Sequence, residues 1–426
     1  MTSAPTTSSV SPSDRIRLVQ RRTLAVLSAT QIVGGVGVAV GLALSSVVVD
    51  QLSGSTVISG FAGTATVLGA ALLALPTAKA SGRGGRRAGL SLAYAAALAG
   101  CVISVLAISL DLWPLLLAGL VLVGGGSAGS LAARYSATDL SPQGRSAQHL
   151  SLVVWASTIG SVAGPNLARP ADQIGMRLGL VEKAGPFAFA ALAFALALLV
   201  IFAFLRPDPL TLARSLTGGA GSNRDRKGTV RTAWQTLRAT PAARRALVMI
   251  AVSHTAMVSV MSMTPVKLHH DGSTLDVIGL VISLHIAGMY VLSPVVGWLA
   301  DKAGKVPVLV LGMALLLGAA ALAGTAGHRV WQVTAALVLL GLGWSCGLVA
   351  GSALVSESVP LDGRPAVQGL SDLLMNVCGA TGTIVAGAIV GTLGYGTLGL
   401  VVGVMVTLAG VWLTVTRNRA GHLASA

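Results

Sequence analysis

Four side chains in the second half of the chain combine the types and the spacing that bind a soft cation. Met257 and Met261 stand four apart, and so do His285 and Met289; in a helix each pair shares one face. His254, three residues before Met257, joins that face, and Met263 follows close behind as a further ligand candidate. Thioether sulfur prefers Cu(I), and imidazole accepts copper in either oxidation state. Neutral ligands hold an ion without a strong charge trap, which suits a carrier that must release its cargo. The competing reading is packing, because methionine fills irregular gaps and a methionine stripe at helical spacing is ordinary core. No nucleophile–base pair or carboxylate pair appears at the same depth, so enzyme chemistry is unsupported.

Such a site needs helices that hold it inside a bilayer, and the composition supplies them. Of 426 residues 54% are hydrophobic and only 10% charged, with 53 glycines, and the mean hydropathy is +0.80. A soluble chain lacks the charges to cover that much apolar surface. Abundant glycine fits helices that approach backbone to backbone in lipid. The predicted fold class is an all-α membrane protein with twelve transmembrane helices in two six-helix halves. A crossing takes about 20 mostly apolar residues. Segments 23–49, 55–78, 88–109, 112–133, 147–168, 186–205, 245–266, 275–299, 307–326, 331–353, 367–392 and 396–416 qualify. The halves are then 23–205 and 245–416, flanked by tails 1–22 and 417–426 and joined by a polar, apparently flexible linker at 206–244.

The formal charge of +15 punctuates the apolar spans instead of forming one basic face, so nucleic acid is not an expected partner. Of 29 Lys and Arg, 24 fall in the tails and the loops on their side of the membrane. Arg169, Arg177, Lys183, Lys267 and Arg329 fall opposite. This asymmetry predicts a multi-pass protein of the bacterial inner (plasma) membrane with both termini in the cytoplasm. The first apolar run lacks a cleavage site and outruns a signal peptide, so it is expected to stay in the bilayer. Cys101, Cys346 and Cys378 all lie in apolar spans with no CxxC pair, and read as free thiols. Counting 1.5 Å per residue, His254 and Met257 come about 14–18 Å along their span, and His285 and Met289 about 15–21 Å along the next. The two spans run antiparallel, so the four groups are expected to meet near mid-depth.

An internal repeat supports the two halves. Gly85-Arg86 lies 219 residues before Gly304-Lys305, and Asp139-Leu-Ser-Pro142-Gln-Gly-Arg145 returns as Glu357-Ser-Val-Pro360-Leu-Asp-Gly-Arg364 at nearly the same offset. The stretch Gly297-Trp-Leu-Ala-Asp301-Lys-Ala-Gly304-Lys305 resembles the loop signature of the major facilitator superfamily. The resemblance implies a gating loop, Asp301, Gly304 and Lys305, whose acid faces the start of the fifth span near Ser146 to His149 and latches the outward-open state. The equivalent first-half loop, Ser81 to Arg87, has Gly82 where the acid belongs, so that side of the gate is expected to be held less tightly. Gly160-Ser-Val-Ala-Gly164-Pro165 resembles the G-x-x-x-G-P motif of proton-coupled antiporters. Physically it reads as a close crossing followed by a kink.

Met257-x-x-x-Met261 followed by His285-x-x-x-Met289 resembles the paired motifs of CcoA-like (CalT) copper importers, a branch that also includes riboflavin-transporter-like members. That resemblance implies alternating-access import with copper as cargo, and no resident cofactor is expected. The alternative is a carrier of organic solutes, either a vitamin importer or a drug/proton exporter. The other candidates are His269 and His270 beside Asp271 as a cation-collecting entrance, against a plain solvated loop. Asp372, an acid inside the eleventh span, reads as a proton-coupling group or as a backbone binder. The expected partners are a small molecule or ion and the lipid bilayer, with the protein monomeric.

Overall fold

The computed structural model describes residues 12–217 and 229–424, and among these every regular element is a helix. The first crossing is α1 (Pro12–Ala43) continued by α2 (Ser45–Ser53), and a single turn, α3 (Thr56–Ser59), leads into α4 (Phe61–Ser109). Then come α5 (Trp113–Ser136), α6 (Ser146–Arg177), α7 (Gly185–Phe204), α8 (Pro209–Leu216) and α9 (Thr229–Ala239). The second half holds α10 (Pro241–His270), α11 (Leu275–Tyr290), α12 (Ser293–Ala303), α13 (Lys305–Thr325), α14 (Val330–Ser358) and α15 (Arg364–Ala424).

Nine of these stretches are long and apolar enough to cross a membrane, or ten with α6, which bends by 55° between Ser146–Gly164 and Asn166–Arg177. Two are too long for one crossing. At 1.5 Å per residue, 49 residues of α4 and 61 of α15 would reach about 70 and 90 Å against an apolar core of about 30 Å. Each breaks midway at a glycine in the left-handed region, Gly85 (φ 83°) and Gly394 (φ 84°), which only a residue without Cβ adopts cheaply. Behind the first break Gly89 lies against Ser81 and Thr77, so the chain doubles back there. Counting α6 and the two arms of α4 and of α15, the described residues make twelve crossings.

The eighth crossing is also interrupted. Helix α11 ends at Tyr290 and α12 restarts at Ser293 with Pro294 in its first turn, where the missing N–H costs nothing. Large side chains such as Leu192, Ile384, Leu400 and Leu408 face outward, as lipid demands, while alanine and glycine line the seams. The bend of α6 falls at position 165, a proline, which has no backbone N–H to give. Just before it, a Cβ on Gly160 would sit 2.8 Å from Cα of Gly35, and one on Gly164 would strike Ala39. Gly160→Val is therefore expected to destabilise the α1–α6 crossing by about 1–3 kcal/mol. Thermal unfolding in detergent measures the loss, which Gly160→Ala should show in reduced form.

The linker departs from the flexible segment expected at 206–244. Asp208 accepts hydrogen bonds from the Leu210 and Thr211 amides (3.0 and 3.1 Å), capping α8, and another from the Arg87 amide (2.8 Å). Leu210 is buried, and α9 supplies a second helix before Pro241 opens α10. The glycine-rich residues 218–227 lie outside the described residues. We call the face of the bundle that carries this linker the linker face.

Candidate functional site

Where the halves meet on the linker face, the repeated loops build matching ion pairs. Arg86 grips Asp139 with Nε and Nη2 at 2.7 and 3.0 Å; 219 residues on, Lys305 holds Glu357 at 2.7 Å. Gly85 and Gly304 share one backbone conformation, with ψ at 176° and 152°. Asp301 spans the two halves: its oxygens accept the Ala147 and Gln148 amides of α6 at 3.2 and 2.8 Å, while Lys305 sits 3.2 Å away. These are unsatisfied donors at the positive end of a helix, and a carboxylate is their natural partner. Glu357 also accepts a hydrogen bond from the Ser146 hydroxyl.

The side that lacks an acid carries other contacts between the halves. A Cβ placed on Gly82 would come 3.9 Å from Pro365 at the start of α15, so the glycine faces that helix end without a carboxylate to offer it. Instead Arg86 donates from Nη2 to Gln368 across the halves at 2.7 Å, and Arg214 of α8 approaches Asp362 at 3.4 Å.

One layer deeper sits a second buried pair. Arg134, two residues from the end of α5, donates to Asp372 of α15 at 2.7 Å and touches the Met375 sulfur at 3.4 Å. Tyr135 beside it donates to Ser371 at 3.1 Å. Arg134 is 1% exposed, and its Nε and Nη1 meet no acceptor among the described residues. Arg134, but not Asp372, borders a cavity of about 330 Å³ between the halves. Gln31, Ser127, Ser130, Arg134, Ser157 and Ser161 line it from the first half; His254, Met257, Met289, Tyr290, Trp344, Met375 and Asn376 line it from the second. A groove of about 450 Å³ between α13 and the second arm of α15 is lined by Ala, Gly, Leu, Thr and Val404 and has no charged lining, as a seam against lipid would have.

The four-membered Met/His cradle is not assembled. Met257, Met289 and His254 reach the cavity wall, whereas Met261, Met263 and His285 are not on it. The ring of His285 turns toward α14, where Nδ1 meets the Leu337 carbonyl at 2.8 Å. A carbonyl only accepts, so Nδ1 carries the proton, and Nε2 lies buried with no partner. His254 has the opposite tautomer. The Trp344 indole N–H donates to its Nδ1 at 3.1 Å, which occupies the lone pair a metal would need and leaves the proton on Nε2. Met263 packs against Gly387 in the core of the second half. Among the described residues no group of three His, Cys, Asp or Glu is placed to hold a metal.

The predicted entrance is likewise altered. His269 and His270 are exposed neighbours with ring centroids 6.4 Å apart. Asp271 is already paired, with Lys267 at 2.5 Å and His328 at 2.9 Å, so its charge is largely answered within the protein. Burial works to raise its pKa, but the hydrogen bonds and charges of Lys267 and His328 outweigh that and hold it below the usual carboxylate value. A depressed carboxyl stabilises the fold above its unfolded pKa and loses that contribution as pH falls through the folded value. The Asp271 clip is thus expected to survive to below about pH 4. Hydrogen exchange of the α13–α14 loop across pH 3–6 measures this.

Two residues central to this geometry, Arg134 and Gln31, were not singled out from sequence. A span edge drawn at 133 left Arg134 in a loop. Ser127, Ser130 and Arg134, at i, i+3 and i+7, form one polar helical stripe and were the available signal.

Twelve helical crossings among the described residues, in two similar halves that enclose a cavity and carry matching loops on one face, define the architecture of a polytopic membrane carrier. The Major Facilitator Superfamily profile matches residues 26–275 and 246–425, and the chain belongs to that family. It is 35% identical over 397 residues to the uncharacterized MFS-type transporter YdeG of Bacillus subtilis, covering 93% of this chain and 92% of that one. It is 26% identical over 415 residues to the riboflavin transporter RfnT of Brucella anthropi, covering 95% and 98%. Its fold matches the human organic anion transporter MFSD10 at a TM-score of 0.74 with 17% identity, over 92% of this chain and 99% of that one.

Proposed function

We propose that the protein carries a small organic solute across the bacterial plasma membrane by alternating access, with Arg134 as the anchor for an acceptor-bearing group of that solute. One observation carries this reading: the Arg134 guanidinium, which borders the cavity and lies over the Tyr135 ring, has two donors that meet no hydrogen-bond acceptor among the described residues. A buried donor without a partner is costly, and a ligand oxygen is what such a donor lacks. The cavity volume falls in the range of small-molecule sites, about 300–1,000 Å³. Asp372 holds the other side of Arg134, and in this scheme it exchanges the coupling proton: once protonated it loosens Arg134 for the solute. Asp301 and its helix partner hold the linker face, taken as cytoplasmic from the Lys and Arg distribution, closed in an outward-facing state.

The relative named as a riboflavin transporter makes riboflavin the first solute to try. Cells expressing the chain are expected to accumulate it above controls, and the neutral pair Arg134→Gln/Asp372→Asn to abolish the excess. Accumulation unchanged by that double replacement would remove Arg134 as anchor.

Copper import is the second reading, favoured by three thioethers, Met257, Met289 and Met375, on one wall. The cation of Arg134 beside them and the occupied lone pair of His254 weigh against it. Radioactive copper uptake that rises with expression and disappears in Met257→Ala/His285→Ala would reverse the order of the two.

A further inference from the structure

Resting on the organic-solute reading, we infer that the cargo is amphipathic and flat. Its acceptor-rich edge, a carboxylate at its strongest, lies on the first half, and its aromatic ring lies on the second. The cavity wall is unevenly divided between the halves. The first half brings the one charged group, Arg134, with Gln31 and the serine hydroxyls, set among Val38, Ala39, Leu131 and Val154; the second brings every methionine and both aromatic rings, with His254 and Asn376 as its polar members. Tyr290 and Trp344 stand edge to face, with centroids 5.7 Å apart and planes at 83°. The one polar atom of Trp344 is spent on His254, so the indole offers only its π surface to a ligand. Thioethers beside aromatic rings make a soft, adaptable apolar wall. On the opposite wall Gln31 donates to Ser157 at 3.0 Å and keeps a buried Oε1 with no partner, a place for a donor on the same polar edge.

A solute built this way touches both halves through different forces. An ion or a uniformly polar molecule would leave one wall unused. Binding the head to Arg134 and the ring to the second half ties occupancy to the distance between the halves, which is the coordinate that alternating access changes.

The test is calorimetric binding to the full chain in lipid nanodiscs, with empty discs as reference. Three probes of one size serve: 2-naphthoate, its saturated analogue decahydro-2-naphthoate, and 2-naphthylmethanol. The unaltered chain is expected to bind 2-naphthoate at least about tenfold tighter than either other probe. Trp344→Leu should bring 2-naphthoate down to the saturated acid, and the neutral pair Arg134→Gln/Asp372→Asn should bring it down to the alcohol. If Trp344→Leu does not fold, Met289→Ala is expected to show the same selective loss in smaller measure. Equal affinity for the flat and saturated acids, equal losses for both acids in the second-half variant, or no binding of 2-naphthoate would overturn the inference. A neutral pair that leaves all three affinities unchanged is a separate failure, of Arg134 as anchor.

Discussion

Arg134→Gln alone is expected to yield little folded protein, about 3–5 kcal/mol less stable than the unaltered chain. The reason is the charge left behind. Asp372 is 4% exposed and takes its salt bridge from Arg134 at 2.7 Å, so removing the guanidinium leaves a buried carboxylate without its ion-pair partner. The double variant Arg134→Gln/Asp372→Asn removes both charges with little change of shape. It should recover most of the lost stability, because a buried pair replaced as a unit is often neutral. Uptake should not recover with it, since the anchor is gone. Thermal unfolding and transport measured on the same two variants separate the structural role of the pair from its role in binding. If the double variant both folds and transports, the pair is scaffold. If Arg134→Gln folds normally, the pair is not the buried unit described here. Asp372→Asn alone should be milder, because the guanidinium left behind can still meet solute oxygens.

How legible was this in the sequence? Hydropathy located the crossings well because a bilayer imposes one length on every helix. The loops after the second and eighth crossings were legible as a repeat, and both carry the same left-handed glycine, Gly85 and Gly304. Acid and base at matching offsets also became matching pairs, Arg86 with Asp139 and Lys305 with Glu357. The interior of the site was less legible. Helical spacing put His254 and Met257 on one face, and the cavity does touch both. Spacing does not say which neighbour a face meets, however. His285 shares a face with Met289, yet its ring is drawn to the Leu337 carbonyl because α11 packs closely on α14 at Gly288 and Gly341. Arg134 was lost for a simpler reason. A charged residue at the end of an apolar run looks like a loop residue until a partner 238 positions away is known to hold it inside.

The second large effect belongs to the gate. Asp301→Ala is expected to shift the resting population toward an open linker face by about tenfold or more. Hydrogen bonds to a charged group contribute about 1.5–3 kcal/mol, and each 1.4 kcal/mol is tenfold in an equilibrium. Asp301 makes two of them to α6 and also faces Lys305. No symmetrical latch backs it up, because Gly82 occupies the equivalent place in the first half. Ser356 is buried between the halves, so a cysteine placed there should react slowly with a membrane-impermeant maleimide added from the linker side. Asp301→Ala should speed that reaction about tenfold over the same cysteine in the otherwise unaltered chain. Cys101 and Cys346 are buried, which leaves Cys378 as the background to subtract. An unchanged rate would mean that Asp301 does not set the balance between states. Gly82→Asp should restore the slow rate in the Asp301→Ala chain only in part. The helix end it would face begins Arg364-Pro365-Ala366; Pro365 stands where Ala147 gives one of the two amides to Asp301, and proline has no N–H, so only the counterpart of Gln148 remains. The two halves share a loop, but only one of them meets a helix start that offers an acid both amides.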